Sequence, residues 1–223
     1  RATLPAAFFL REYEADFAAF AGQCWPTFDP LRHVVHHDPD EFAEHILGVD
    51  FGYAPGHAQV FLVVGLNRAK QTYAVLEEVV AEERTIDWWI ARCVELCKRY
   101  RLSRAWCDSA RPGEIAMLRR EVGRLRDEHN RKGGTERMQT PTFRDANKAV
   151  YDGVHYVASL FGSECLHIDP SCKLTIRQCL TYHWLPGPHS DWQERPAPVD
   201  NDCADALRYA LWSEAAMSRV TGR

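Results

Sequence analysis

Apolar residues change their spacing along the chain, from short continuous runs to a helical period. Three apolar or β-branched runs, Ile46–Tyr53, Val60–Leu66 and Tyr73–Val80, are separated by short stretches of glycine, proline and polar residues. Short turns between such runs predict an antiparallel meander of three strands. The next apolar residues recur on one face at helical spacing, which predicts a helix over about Ile86–Arg99.

The rest of the chain predicts strands that alternate with helices. A short strand over Arg104–Asp108 precedes a helix that begins near Pro112 or Gly113, and the polar, glycine-containing residues 129–147 predict a mobile loop. The remaining predicted elements are a helix over about Asn147–Leu160, a strand over Cys165–Ile168, a helix over about Cys172–Leu180, a proline-containing loop over 186–200 and a last helix over about Asn201–Arg219. An antiparallel meander followed by this alternation predicts an α/β fold with a mixed sheet and helices on its faces.

Composition excludes several classes of protein. Of 223 residues, 46% are hydrophobic and 26% charged, which is typical of a globular protein and not of a disordered one. The longest apolar run, Val60–Val64, is far too short to span a membrane, so we expect no membrane partner.

The eight cysteines include no pair with CxxC spacing. Cys93 and Cys97 lie one helical turn apart, which favours burial as small apolar side chains over a structural zinc site. We therefore expect a reduced, cytoplasmic setting.

Charge is unevenly distributed along the chain. The net charge is −4, which by itself argues against a nucleic-acid-binding protein. Residues 98–148, however, hold 14 basic and 7 acidic residues, a net charge of +7, while the rest holds 13 basic and 24 acidic residues, a net charge of −11. These basic residues are either solvated helix faces or a surface for DNA phosphates, and the candidates for phosphate contacts are Arg111, Arg131, Lys132, Arg137, Arg144 and Lys148.

Four aspartates lie at positions where a carboxylate could bind a metal ion or another ligand. Asp50 interrupts an apolar run, and it is either an edge or turn residue or a metal ligand on a central strand. Asp108 ends a predicted strand, where it is either a turn residue or part of a ligand site. Asp202 and Asp205 share one face at the start of the last helix, where acids also suit the helix dipole.

Taken together, the acids predict more than each does alone. Carboxylates from distant segments that converge can bind hard divalent cations. Two such cations about 3.5–4 Å apart can activate a water and stabilise the leaving oxygen in phosphodiester cleavage.

The chain resembles the nuclease domain of the large terminase subunits of tailed bacteriophages. The residues that carry this resemblance are the run Gly48–Gly52, the pair Cys107-Asp108 and above all the run Asn201–Tyr209. Arg11-Glu12-Tyr13 resembles the stretch that links motor and nuclease in that family, and Tyr182-His183-Trp184 is a further match.

The resemblance implies a ribonuclease H-like fold and a metal-dependent endonuclease that cleaves concatemeric double-stranded phage DNA with little sequence specificity during genome packaging. It implies Asp50, Asp108 and Asp205 as catalytic ligands of two Mg²⁺ or Mn²⁺ ions. Members of the family often carry His where this chain has Asp202, so Asp202 is either a fourth ligand or a charged neighbour.

The resemblance also implies a larger protein in the host cell cytoplasm, with a portal and a small terminase subunit as partners. The chain contains no Gly-Lys dipeptide and therefore no phosphate-binding loop of the motor type, and it begins with Arg1. We expect residues 1–44 to be a connector toward an ATPase motor domain and residues 45–223 to be the nuclease domain.

Two other functions stay open at this point. One is another ribonuclease H-like nuclease, of the junction resolvase or transposase type. The other is a non-catalytic module that guides or docks DNA in the packaging motor.

Overall fold

The computed structural model of the chain describes residues 22–51, 57–133, 137–186 and 192–221. Arg11-Glu12-Tyr13, which carries part of the resemblance, lies outside these residues. Within them, six strands form one mixed sheet in the order β5-β4-β1-β2-β3-β6. The strands are β1 (Glu44–Phe51), β2 (Gln59–Asn67), β3 (Thr72–Ala81), β4 (Leu102–Cys107), β5 (Thr142–Asp145) and β6 (Leu166–Ile168).

The predicted meander is confirmed, because β1, β2 and β3 pair antiparallel. Strand β4 lies parallel to β1, β5 parallel to β4 and β6 parallel to β3. The described residues contain a short 3₁₀ helix over Pro39–Glu41 and six α-helices: α1 (Pro30–His33), α2 (Ile86–Arg99), α3 (Pro112–Arg131), α4 (Val150–Gly162), α5 (Lys173–Thr181) and α6 (Asp202–Thr221). No helix in the described residues is long and apolar enough to cross a membrane.

Helices cover both faces of the sheet, so the central strands are buried on both sides. Alternate residues of β1 enter different cores: Ile46 packs with α4, α5 and α6, whereas Leu47 and Val49 pack with α2 and α3. This two-residue alternation fixes which side chains face which layer. Asp50 has the same parity as Ile46 and therefore faces the α6 layer.

Two predicted loops are wrong in part. Residues 129–147 contain the end of α3 and the edge strand β5, because Phe143 packs into the α2–α3 core and β5 pairs with the free edge of β4. Within 186–200, β8 (Trp192–Pro196) pairs antiparallel with β7 (Trp184–Pro186). Proline is tolerated in such a two-stranded ribbon because both strands are edges.

The described part of the predicted connector packs against the main core. The Trp25 side chain is 1% exposed, and its indole donates a hydrogen bond to the Val154 carbonyl of α4 at 3.0 Å. His33 is buried and its ring is bonded to the Phe161 carbonyl at 2.9 Å. The domain boundary between residues 44 and 45 stays a prediction.

An ion cluster around one buried carboxylate fixes the second half of α6. Glu214 is 2% exposed, and its carboxylate accepts hydrogen bonds from Arg104 at 2.9 Å and from the Trp106 indole at 3.1 Å. Arg68 also pairs with Glu214, and both arginines reach Glu44 at the start of β1. The cluster lines a cavity of about 1040 Å³ at the edge of the sheet where β1 begins.

Candidate metal centre

The ends of two adjacent parallel strands bring the first two acids together. Asp50 is the penultimate residue of β1, and Asp108 directly follows β4. Val49 is the register partner of Cys107, and the Asp108 amide donates to the Val49 carbonyl at 3.0 Å. The two aspartates therefore lie side by side at the C-terminal ends of the parallel strands β1 and β4.

Helix α6 brings the third acid to the same edge. A Cβ atom built on Gly48 would lie 2.2 Å from the carbonyl oxygen of Ala206, so the helix backbone rests directly on β1. Asp205 precedes Ala206, and Asp50 is two residues beyond Gly48 on the face that α6 covers. The glycine at position 48 thus permits the close approach that places Asp205 beside Asp50.

Asp50 is a buried carboxylate without a hydrogen-bond donor among the described residues. Its exposed fraction is 8%. Burial raises the pKa of Asp50 well above its ordinary value. Neighbouring carboxylates raise this pKa further, in the order Asp205, Asp108 and Asp202. A buried acid that faces other acids is costly unless a cation or a donor compensates it.

Asp205 is held in place by side chains of the protein itself. Its Oδ1 accepts hydrogen bonds from the Tyr182 hydroxyl at 3.1 Å and from Arg208 at 2.9 and 3.2 Å. Its Oδ2 accepts one from Asn201 at 2.9 Å. Burial opposes the charge of Arg208, but Asp205 and two tyrosines nearby keep the pKa of this guanidinium above its ordinary value.

Asp108 has both a backbone partner and an ionic partner. Its Oδ1 accepts a hydrogen bond from the Ala110 amide at 3.0 Å and forms an ion pair with the ammonium of Lys148. Lys148 lies between β5 and α4, so the structure brings one residue of the predicted phosphate-binding set to the acids.

Asp202 has protein partners on both oxygens. Its Oδ1 is bonded to Nδ1 of His57 at 2.9 Å, and its Oδ2 accepts a hydrogen bond from the Ala58 amide at 3.1 Å. These bonds join the start of α6 to the chain just before β2. The arrangement suits an anchoring role.

The donor set fits a hard divalent cation. Asp50, Asp108 and Asp205 offer only carboxylate oxygens, which are the ligands that Mg²⁺ and Mn²⁺ prefer, and no described residue donates a hydrogen bond to the buried Asp50. Among the described residues, no three His, Cys, Asp or Glu side chains already form a metal-binding group. Lys148 and Arg208 pair with oxygens of Asp108 and Asp205.

The other basic candidates lie at varying distances from the acids. Arg111 follows Asp108 closely in sequence, pairs with Glu114 at 3.0 Å, and lines a cavity of about 560 Å³ together with Phe51 of β1. Arg131 and Lys132 lie at the far end of α3, which is about 30 Å long by helical rise. The structure therefore does not bring these two to the acids.

Arg144 and Arg137 occupy different settings from the predicted mobile loop. Arg144 is exposed on β5, in register with Trp106 of β4. Arg137 is exposed between α3 and β5. The expectation that Arg144 lies in or beside a mobile loop is wrong, because pairing with β4 fixes its backbone.

The cysteines pack as the helical spacing predicts. All eight thiols are free, and seven are buried. Burial raises the pKa of the Cys179 and Cys107 thiols, in the latter case to about 12, which suits small apolar side chains inside the core.

Sequence reasoning missed the side chains that hold the acids. The sequence patterns point to no contact of Arg208, Tyr182, Asn201 or His57 with these acids. The spacing of Asp205 and Arg208, three residues apart on a helix, is a signal that could have identified their ion pair. Contacts such as that of Tyr182 with Asp205 join separate elements and leave no such signal.

Comparison with known proteins finds a relative among large terminases. No family model matches the chain. It is 32% identical to the terminase large subunit of Escherichia phage T5 over 96% of this chain and 47% of that subunit. The chain thus spans about half the length of this relative.

Solved structures with the same fold include two terminase nuclease domains. The nuclease domain of the P22 large terminase matches with a TM-score of 0.64 and 12% identity, over 88% of this chain and 93% of that one. The large terminase nuclease domain of bacteriophage SPP1, with bound Mn, matches with a TM-score of 0.58 and 20% identity, over 81% and 92% of the two chains. These matches confirm the predicted ribonuclease H-like fold class. The chain is a homologue of a bacteriophage large terminase subunit, and its fold is that of large terminase nuclease domains.

Proposed function

We propose that this chain is a metal-dependent DNA endonuclease of a phage packaging motor. It cleaves concatemeric double-stranded DNA in the host cell cytoplasm with little sequence specificity. The observation that carries this proposal is Asp50, a buried carboxylate beside the other acids that no described residue pairs. Relationship to a terminase large subunit supports it.

Asp50, Asp108 and Asp205 would hold two Mg²⁺ or Mn²⁺ ions. Bound there, the ions would activate a water and stabilise the leaving oxygen of a phosphodiester. The SPP1 nuclease domain has bound Mn, which supports this choice of cation. Asp202, which is bonded to His57 and to the Ala58 amide, would either be a fourth ligand or anchor the start of α6 beside the site.

The protein's own side chains position the reacting groups. Tyr182 and Arg208 hold Oδ1 of Asp205 from the protein side, so this carboxylate keeps a fixed orientation toward Asp50. Arg111 and Lys148 flank Asp108 and would contact the phosphates on either side of the cleaved bond. Preorganised groups of this kind lower the barrier because they need no rearrangement during the reaction.

The remaining basic candidates would bind the DNA backbone away from the cleaved bond. Arg131 and Lys132 at the far end of α3, with Arg137 and Arg144 nearer β5, would contact phosphates along a duplex. Contacts to phosphates carry no sequence information, in keeping with low specificity. In the full protein, an ATPase motor domain, a portal and a small terminase subunit would be partners.

Plasmid cleavage tests the proposal directly. Supercoiled plasmid incubated with the chain and Mn²⁺ or Mg²⁺ should be nicked and linearised, and EDTA should abolish cutting. Asp50→Asn should lose at least about a hundredfold in rate, whereas the control Asp127→Asn, an exposed acid on α3, should cut like the wild type. Undiminished cutting by Asp50→Asn would refute the assignment of this residue. A strong preference for branched DNA would favour a resolvase-type nuclease instead.

A further inference from the structure

Lys148 stands at the carboxylate that the proposed function assigns to a metal ion. Its ammonium forms an ion pair with Oδ1 of Asp108. The side chain of Asp108 is 17% exposed and that of Lys148 is 45% exposed. The ammonium therefore approaches the acid from the solvent side, where an incoming cation or a DNA phosphate would also arrive.

The backbone around Lys148 is fixed by both neighbouring layers. The Ala146 amide donates to the Cys107 carbonyl at 2.9 Å, and the Asn147 amide donates to the Ser213 hydroxyl of α6 at 2.8 Å. The Ala149 amide donates to the Asn147 side chain at 3.0 Å. Because these bonds hold the main chain, only the lysine side chain has to move for the ammonium to leave Asp108.

We propose that Lys148 is an internal counter-cation that couples metal binding to DNA binding. Without metal, its ammonium neutralises Asp108. When a divalent cation binds Asp108, it displaces the ammonium, which is then free for a DNA phosphate. The proposal rests on the function proposed above, because it needs Asp108 to be a metal ligand.

Electrostatics favours this exchange over a simple surface ion pair. An ammonium and a divalent cation repel each other at one carboxylate, so both cannot hold the same oxygen at full strength. Arg208, which pairs with Asp205, is 2% exposed and cannot leave for solvent. Lys148 is exposed enough to do so. Coupling of this kind is reciprocal, so DNA should strengthen metal binding by the same factor by which metal strengthens DNA binding.

Metal affinity in the absence of DNA is the first test. Mn²⁺ binding is measured by calorimetry on the whole chain, for the wild type, Lys148→Gln and Lys70→Gln. Lys70 is an exposed lysine in the turn between β2 and β3, at the opposite edge of the sheet, and controls for the loss of one charge. Lys148→Gln should bind Mn²⁺ about two- to fivefold more tightly, as expected from loss of an exposed ion pair, and Lys70→Gln should bind like the wild type. Equal or weaker binding by Lys148→Gln would overturn the proposal.

Coupling is the second test. Affinity for a 30-base-pair duplex is measured by fluorescence anisotropy with and without saturating Ca²⁺. The gain in affinity on adding Ca²⁺ should be clear for the wild type and Lys70→Gln, and at least halved on a logarithmic scale for Lys148→Gln. Lys148→Arg keeps the charge and should restore most of the gain. An undiminished gain in Lys148→Gln contradicts the proposal.

Asp50→Asn distinguishes failure of the proposed metal site from failure of the proposed role of Lys148. If the wild type binds no Mn²⁺, or Asp50→Asn binds it equally well, the proposed function fails and this proposal fails with it. If Mn²⁺ binding depends on Asp50 while Lys148→Gln matches the wild type in both tests, only the role of Lys148 is refuted.

Discussion

Gly48 and Ala206 lie so close that no side chain fits between them: a Cβ atom at position 48 would stand 2.2 Å from the Ala206 carbonyl oxygen. This contact joins β1, which carries Asp50, to α6, which carries Asp205. The spacing of the two acids therefore depends on the absence of a single methyl group.

Replacing this glycine should damage both stability and activity. Gly48→Ala must push α6 away from β1, which we expect to lower the free energy of unfolding by about 1–3 kcal/mol. The same shift moves Asp205, so plasmid cleavage should fall by about a hundredfold even where the protein is folded. Gly123→Ala on α3 is the control, because a Cβ there meets nothing within 4 Å, and it should stabilise the protein by about 0.5–1 kcal/mol. Wild-type cleavage by Gly48→Ala would show that the spacing is not critical.

Trp25 should be as important to stability as a residue of the central core. Its ring is 1% exposed and its indole is bonded to the Val154 carbonyl, so Trp25→Ala should lower the free energy of unfolding by about 3–5 kcal/mol in urea titrations. The neighbouring exposed Pro26 gives the control Pro26→Ala, with a change below about 0.5 kcal/mol. A small effect of Trp25→Ala would support a domain that begins at residue 45.

Asp50 should lower the stability of the metal-free protein and allow divalent metal to stabilise it. Without metal, Asp50→Asn should raise the melting temperature, because it removes a buried acid that faces other carboxylates and that no described residue pairs. Divalent metal should stabilise the wild type by about 2.7 kcal/mol at a concentration of 100 times Kd and should not stabilise the variant. Melting curves with EDTA or Mn²⁺ measure both effects. A variant that is less stable than the metal-free wild type would contradict the unfavourable electrostatics of Asp50.

Low pH should destabilise the fold through the histidine pair His37 and His167, which lies away from the aspartates of the candidate site. Burial lowers the pKa of His167, and nearby His37 and His33 lower it further. His167 and His37 share a bond of 2.9 Å between ring nitrogens, which requires at least one neutral ring. The unfolded chain then binds more protons at this pair than the folded one once the pH falls below the unfolded value of 6.5, so the pair contributes a loss of stability as the pH falls through about 6.5.

His167→Gln should flatten part of this decline. Urea titrations at several pH values measure the slope, and His129→Gln on α3 should keep the wild-type slope. His45 contributes to the same decline because burial lowers its pKa, so a residual slope is expected in His167→Gln. Identical slopes for His167→Gln and the wild type would be the contrary result.

The sequence predicts an element well when the residues that stabilise it lie within the element, and poorly when they are distant in sequence. The three-strand meander and α2 are predictable because their apolar residues repeat locally with the period of the element. Strand β5 escapes prediction because Phe143 is its one buried residue and its stability comes from the edge of β4, which is distant in sequence. The ribbon of β7 and β8 escapes for a similar reason, since its prolines are typical of loops.

The site divides in the same way. The identity of Asp50, Asp108 and Asp205 as candidates follows from resemblance to a family, whereas their convergence follows from the parallel pairing of β1 with β4 and the seating of α6. Lys148 was predicted to meet DNA phosphates, but its pairing with Asp108 depends on how the segment after β5 is bonded to β4 and α6. No local pattern carries such contacts.

The ion cluster around Glu214 sets the rotational phase of α6. Successive residues of a helix are turned by about 100°, so a slip of one residue would point Asp205 away from the strands. Glu214 lies nine positions further along the helix, about 14 Å away, and its bonds to Arg104 and Trp106 prevent such a slip. The orientation of Asp205 at one end of the strands thus depends on contacts of Glu214 at the opposite end. Loss of the Glu214 contacts would therefore affect Asp205 by allowing α6 to rotate, although Asp205 itself would keep its own partners.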